Sequence, residues 1–317
     1  MGGIRMIRVG AVNIDTSHPM GFADAMAKQD RMRYVGVYDD SFRPDAEVDG
    51  FIERYGLEKR CETIDELARM CDIGFVQGCD WDDHLRCAAP FIARGKPVFL
   101  DKPMVGRLSD CDRMLKLADA GAVILGSSSA RYAYEIRRFL AAPERERVIH
   151  AFCTSGVDEF NYGIHAAEAI GGLMGQGAAW VRHMGRSGQS GIYTESLHIG
   201  FEDGRSASLL LCTGVWQPFA LTAMTISNTY QIMIDSARLY EALIEQICDR
   251  MEGKPNALAR VDALVESVKI MLAAAASRAR NGEAVRLDAL TDADPAYDGR
   301  AFWKRYGAAS GRMYARS

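Results

Sequence analysis

Two residues of this sequence are well placed to move protons, Lys102 and His165. Lys102 stands in "FLDKPM", just past an apolar run that reads as a buried strand. In an open α/β sheet, ligands bind outside the carboxyl ends of the strands. Pro103 restricts the Lys102 backbone to extended conformations, which fixes the direction of the side chain. His165 stands in "DEFNYGIHAAEAIGG", early on a helix expected over roughly 161–173. Asn161 precedes it by four residues and Glu168 follows by three, so all three can share one helix face. A histidine next to a lysine can relay a proton near neutral pH.

The stretch "VGAVNIDTSHPMGF" poses a second question of chemistry. It joins a first strand to a first helix, where a dinucleotide-binding chain carries G-x-G-x-x-G. Asn13, Asp15 and His18 hold those places. Asn13 can take the turn, since asparagine tolerates unusual backbone angles. A carboxylate at 15 would face a diphosphate. At an effective dielectric of ~20, two charges ~4 Å apart repel by about 4 kcal/mol. Asp15 or Ser17 is therefore expected to turn away and cap the helix start, with Pro19 in the first turn. Thr16, Ser17, His18 and the free amides of the helix start remain as donors to an anion. His18 is expected to project over the strand ends toward Lys102. Asp39, at the end of strand two, holds the place where NAD-binding folds grip the ribose hydroxyls. It would repel a 2′-phosphate, so the expected cofactor is NAD rather than NADP.

The elements that position these residues are legible in outline. Strand-like "IRVGAVNI", "MRYVGVYDD", "DIGFVQGCD", "KPVFLDKP" and "AVILGSSS" alternate with helical "DELARMC", "HLRCAAPFIARG" and "SDCDRMLKLADAG". Gly95 and Gly121 are the expected helix stops. Such alternation with short connections predicts a Rossmann-like, doubly wound parallel sheet over residues 1–128. From about residue 148 the segments "RVIHAFCTSG", "AAWVRHMGRS", "SLHIGFEDG", "SASLLLCTG" and "LTAMTISNTYQIMID" predict a large, mostly antiparallel sheet. Long helices are expected over 237–252 and 256–281. Residues 129–317 are read as a second, α+β domain for substrate and oligomerisation. The aromatic, basic tail "DADPAYDGRAFWKRYGAASGRMYARS" is expected to pack on the body or on a partner subunit.

Composition bounds the rest. The chain has 317 residues and a net charge of −4, which argues against nucleic-acid and anionic-membrane partners. "MGGIRMIRVG" reads as a strand start rather than a targeting segment, and no apolar run approaches the ~20 residues of a bilayer span. The eight cysteines form no C-x-x-C and fit no zinc spacing, so no metal is expected and the cysteines read as reduced, buried residues of a cytoplasmic protein.

From about residue 5 to 290 the chain resembles the Gfo/Idh/MocA family (glucose–fructose oxidoreductase, inositol dehydrogenase and relatives). The family's E-K-P corresponds to Asp101-Lys102-Pro103, and its D-x-G-x-H to "NYGIH", Asn161 to His165. "GCDWDDH" brings His84 to its usual place, "SSSARY" carries the arginine after the sixth strand as Arg131, and "GKP" at 253–255 matches the closing G-x-P. The resemblance implies a cleft between a dinucleotide-binding domain and an open-faced sheet, and hydride exchange between NAD and a sugar-like or polyol carbon. On it, Lys102 orients and polarises the substrate oxygen, His165 is the acid/base, and Asn161 replaces the family's aspartate. Arg131 and Tyr162 would join Lys102 and His165 around substrate. Asn13, Asp15, Thr16, Ser17, His18, Asp39, His84 and Asp101 would line the cofactor. Self-association through the exposed sheet face is implied too. An amide cannot exchange a proton near neutral pH, so Asn161 leaves His165 without a carboxylate. The alternatives are a non-redox enzyme on the same fold and a non-catalytic small-molecule sensor.

Overall fold

The structure, a computed structural model, describes residues 5–142 and 146–314, with side chains described through Ser310. Strands β1 (Ile7–Val12), β2 (Met32–Tyr38), β3 (Lys59–Arg60), β4 (Ile73–Val76), β5 (Val98–Asp101) and β6 (Ile124–Ser127) form one parallel sheet in the order β3-β2-β1-β4-β5-β6. The order reverses between β1 and β4, which places the ligand crevice of such a sheet at their carboxyl ends. β4, β5 and β6 are buried along their whole length, as strands covered on both faces must be. Helices α1 (His18–Gln29), α2 (Asp45–Tyr55), α3 (Ile64–Met70), α4 (His84–Ile92) and α5 (Leu108–Asp119) connect them. Gly95 and Gly121 follow α4 and α5 in the left-handed region, with φ of 65° and 93°, as expected of helix stops.

A short helix, α6 (Tyr134–Ala141), leads to the second sheet. Its strands are β7 (His150–Val157), β8 (Ala178–Gln189), β9 (Ile192–Phe201), β10 (Ser206–Thr213), β11 (Ala220–Met224), β12 (Thr229–Met233) and β13 (Val285–Arg286), in the order β12-β11-β7-β10-β9-β8-β13. Only the β7–β10 pair is parallel. Helices α7 (Gly163–Met174) and α9 (Val261–Ala279) pack on this sheet.

Helix α8 (Leu239–Met251) follows the second sheet in sequence but packs on the first. Its Leu243, Ile244, Ile247 and Cys248 share a core with β1, β2 and α1. Arg31 bonds Asp249 and Glu252 across the same seam, at 2.7 and 2.8 Å. The last helix, α10 (Gly299–Tyr314), lies across the first sheet's loops. The described part of the tail thus packs on the body. No helix among the described residues is long and apolar enough to cross a membrane.

Candidate active site

Lys102 leaves the carboxyl end of β5 and points toward the turn before α7. Its Nζ donates to Asn161 Oδ1 at 2.9 Å and to the Asn161 carbonyl at 3.3 Å. The Tyr162 ring lies beside it, 5.3 Å from Nζ to centroid. His165, one turn into the helix, meets the same ring edge-on, 5.5 Å between centroids. Both proton-handling groups are therefore neighbours of one aromatic side chain, and Lys102 and His165 are each only 8% exposed. The sheet supplies the lysine and the helix start supplies the asparagine, tyrosine and histidine.

The electrostatics follow from burial. Desolvation lowers the Lys102 pKa below the usual lysine value, against the pull of Asp101 and Asp158. His165 is pushed well below the usual histidine value, first by burial and then by the charges of Lys102 and His18. It is a neutral imidazole. Its Nδ1 lies 2.6 Å from Ser128 Oγ, which already accepts from the Ala130 amide. The Ser128 hydroxyl can donate its hydrogen to Nδ1 or accept one from it. Asn161 touches Lys102 rather than His165, so its amide orients the lysine.

Two participants escaped the sequence reading. Ser128 is the hydrogen-bond partner of His165 Nδ1. Asp158 accepts from the amides of Phe160 and Tyr162, at 3.0 and 3.2 Å, and shapes the turn that carries Asn161. Burial raises its carboxyl pKa. The signal for Asp158 was its place in "DEFNYGIH", three residues before Asn161; Ser128 offered none.

The opening loop departs from expectation. Asp15 is fully buried and caps nothing. Its two oxygens accept from the Cys79 amide at 3.0 and 3.2 Å, and burial pushes its pKa up to about 7. Ser17 sits at the N-cap of α1 without a side-chain bond to the helix. The reason is local: β4 ends beside β1, and the exposed amide past its end recruits the carboxylate that α1 would otherwise have. Thr16 Oγ1 accepts from the His18 amide at 3.2 Å. Asn13 takes φ 62°, and its Oδ1 accepts from the Asp40 amide at 3.0 Å. His18 does project over the strand ends, where its Nδ1 lies 2.6 Å from Asp101 Oδ2.

Three further residues expected at ligand sites serve the fold. His84 sits between two backbone carbonyls, with Nδ1 2.9 Å from Met104 O and Nε2 2.7 Å from Gly78 O. Both ring nitrogens thus point at backbone oxygens within the fold. Arg131 pairs with Glu168 at 2.5 Å and reaches Ser267 Oγ at 3.0 Å, inside the second unit. A Cβ at Gly171 would lie 2.3 Å from the Arg131 guanidinium, and one at Gly172 2.4 Å from its carbonyl. The two glycines make room for this buried ion pair, which removes Arg131 from substrate and Glu168 from His165. Asp101 is turned to His18 and to the Lys102 amide, at 2.8 Å.

Asp39 tests the fit of a dinucleotide directly. One carboxylate oxygen accepts from the Ile14 amide at 2.7 Å, and the other from the Ser41 amide and hydroxyl at 3.1 and 2.9 Å. Three of its roughly four acceptor positions are thus taken up within the loop, which leaves little for ribose hydroxyls. Helix α10 also crosses the crevice, with Tyr306 close enough to Asp15, Arg43 and Tyr162 to feel their charges. In this arrangement the crevice does not fit a dinucleotide. Among the described residues no cluster of three or more His, Cys, Asp or Glu could hold a metal ion.

Residues 4–128 match the family model described as "Oxidoreductase family, NAD-binding Rossmann fold". No curated protein matches the chain. Solved structures show the same fold over both units. A probable dehydrogenase from Thermotoga maritima superposes with a TM-score of 0.76 at 15% identity, over 90% of this chain and 100% of that one. Myo-inositol dehydrogenase from Lactobacillus casei, solved with NAD(H) and myo-inositol, gives 0.75 at 12% identity, over 89% and 97%. Scyllo-inositol dehydrogenase from the same organism, solved with NAD(H) and scyllo-inositol, gives 0.73 at 14% identity, over 90% and 100%.

Proposed function

We propose that this chain, whose residues 4–128 match the Gfo/Idh/MocA oxidoreductase model, is an enzyme that moves a proton on a hydroxyl or carbonyl group of a small sugar-like or polyol substrate. The observation that carries this reading is that Lys102 and His165 both lie against the Tyr162 ring, at 5.3 and 5.5 Å from its centroid. Lys102, held by Asn161, is an ammonium with a lowered pKa that can polarise a substrate oxygen and give or take its proton. His165, a neutral imidazole bonded to Ser128, is the second group at hand. Tyr162 offers a ring face and a hydroxyl beside both. The sugar dehydrogenases that share the fold support the substrate class.

The family match supports a nicotinamide as hydride partner, and Asp39 and Asp40 at the crevice favour NAD over NADP. The strand-end crevice covered by α10 and the largely committed carboxylate of Asp39 favour a second reading, proton transfer without redox, in which His18 on Asp101 is the further acid/base group. One experiment separates the two. A panel of polyols and keto sugars is incubated with the protein and NAD or NADH and followed at 340 nm. The same panel is followed by NMR in deuterium oxide without nucleotide. Absorbance change supports the redox reading, and deuterium entering beside a carbonyl supports the second. A panel inert in both overturns the enzymatic proposal.

Self-association through the second sheet belongs to the same reading. Met184, Ile192 and Met233 are 60%, 51% and 57% exposed on β8, β9 and β12, and light scattering of the purified chain tests it.

A further inference from the structure

We infer that helix α10 is a strap seated in the chain's own dinucleotide crevice, and that it must withdraw before a dinucleotide can enter. The inference rests on the crevice lying at the β1/β4 reversal. The loops after β2 and β4 wall that crevice, and α10 joins one to the other.

On the β2 side, Phe42 meets the rings of Trp303 and Tyr306, with centroids 5.4 and 6.2 Å apart. A Cβ on Gly307 would lie 2.8 Å from the Phe42 ring, so only a glycine lets the helix come this close. On the β4 side, Trp81 packs against Phe302 at 5.0 Å, and its Nε1 donates to the Tyr297 carbonyl at 2.8 Å. Asp82 accepts from the amides of Gly299 and Arg300, at 3.1 and 3.4 Å, which satisfies the free donors of the α10 start. Arg300 reaches Asp80 at 3.2 Å. Between these contacts, the half-buried Tyr306 is within electrostatic reach of Cys79, Arg43, Asp15 and Tyr162.

A dinucleotide in such a sheet runs over these same loops, with its adenosine half beside the end of β2 and its diphosphate on the β1–α1 turn. Trp303, Tyr306 and Gly307 stand where the adenosine half would lie. The two occupants exclude each other. The strap's grip is aromatic and charge-paired rather than covalent, and its contacts can be broken one by one.

The test is binding of NADH to the full-length protein, read by NADH fluorescence. It compares the wild type with Trp303→Ser/Tyr306→Ser, which loosens the β2 side, and Phe302→Ser, which loosens the β4 side. Thermal melting confirms that each variant is folded. Trp303→Phe serves as the conservative control. At least a tenfold lower Kd for either loosened variant, with wild-type affinity for the control, is the expected result. Hydrogen exchange gives a second reading on the wild type. Saturating NADH should strip protection from the α10 amides while β1 and β4 keep theirs. Equal affinity in all proteins overturns the strap, and so does absence of binding in all of them. Neither Lys102 nor His165 takes part in this readout, so its failure leaves the proton-transfer proposal standing. Loss of that proposal would likewise leave the strap intact.

Discussion

His18 Nδ1 lies 2.6 Å from Asp101 Oδ2, and Asp101 Oδ1 accepts the Lys102 amide at 2.8 Å. A residue of the opening loop is thereby tied to the strand end that carries the lysine. Burial alone would raise the Asp101 carboxyl pKa. The charges of His18 and Lys102 outweigh it and hold the pKa below the usual value.

A carboxyl whose pKa is lowered on folding stabilises the fold above its unfolded pKa and loses that contribution as pH falls through the folded value. We expect His18→Ala to cost about 3 kcal/mol at pH 7, the range found when one partner of a buried pair is removed. We also expect its acid unfolding to begin at a higher pH than in the wild type. Urea unfolding from pH 7 to pH 3 measures both. An unchanged acid limb would show that Asp101 does not depend on His18.

His165 carries the opposite group with the same sign of slope. Its pKa is pushed down by burial and by Lys102 and His18, so the unfolded chain binds a proton that the folded chain refuses. The penalty is absent above the unfolded pKa of ~6.5 and grows as pH falls below it. We expect His165→Gln to flatten the loss of stability between about pH 6.5 and 5. A variant with the wild-type slope would place the titration elsewhere.

Asn161→Asp places a carboxylate on Lys102 Nζ, where an amide oxygen now sits at 2.9 Å. An opposite charge at that range favours the ammonium. The lysine pKa should rise, detectable by NMR titration of labelled lysine, and His165 should respond less than Lys102. A shift confined to His165 would restore the sequence expectation that residue 161 serves the histidine.

Arg131→Met should cost about 3–5 kcal/mol, because it leaves Glu168 buried and uncompensated. Arg131→Met/Glu168→Met should recover part of that loss. Urea unfolding of the three proteins measures it. A stable Arg131→Met that loses substrate binding would return Arg131 to the substrate site.

The parallel sheet and the antiparallel sheet were legible because each rests on a local pattern of apolar runs and turn residues; Lys102 and His165 were singled out by signals of the same kind, a lysine after a buried strand and a histidine at a helix start. The destinations of Asp15, His84, Arg131 and Asp39 were not legible. Each of these side chains has a partner brought to it by the fold, as Asp15 has in Cys79, Arg131 in Glu168, Asp39 in Ile14 and His84 in Met104. Residue type announces that such a group needs a partner; the topology chooses which one. The seating of α10 was hidden for the same reason. Its aromatics announced burial, but the surface that buries them is assembled from loops more than two hundred residues earlier.

The central claim, proton transfer by Lys102 and His165, is tested most directly by the kcat/KM of wild type, Lys102→Met and His165→Gln on whichever polyol or keto sugar the panel shows to be converted. Loss of a positioned acid/base group costs about 10²–10⁴ in rate. Each variant should fall by at least about a hundredfold while remaining folded. Either variant within about threefold of the wild type would contradict the account, since a factor of that size is less than 1 kcal/mol of transition-state stabilisation.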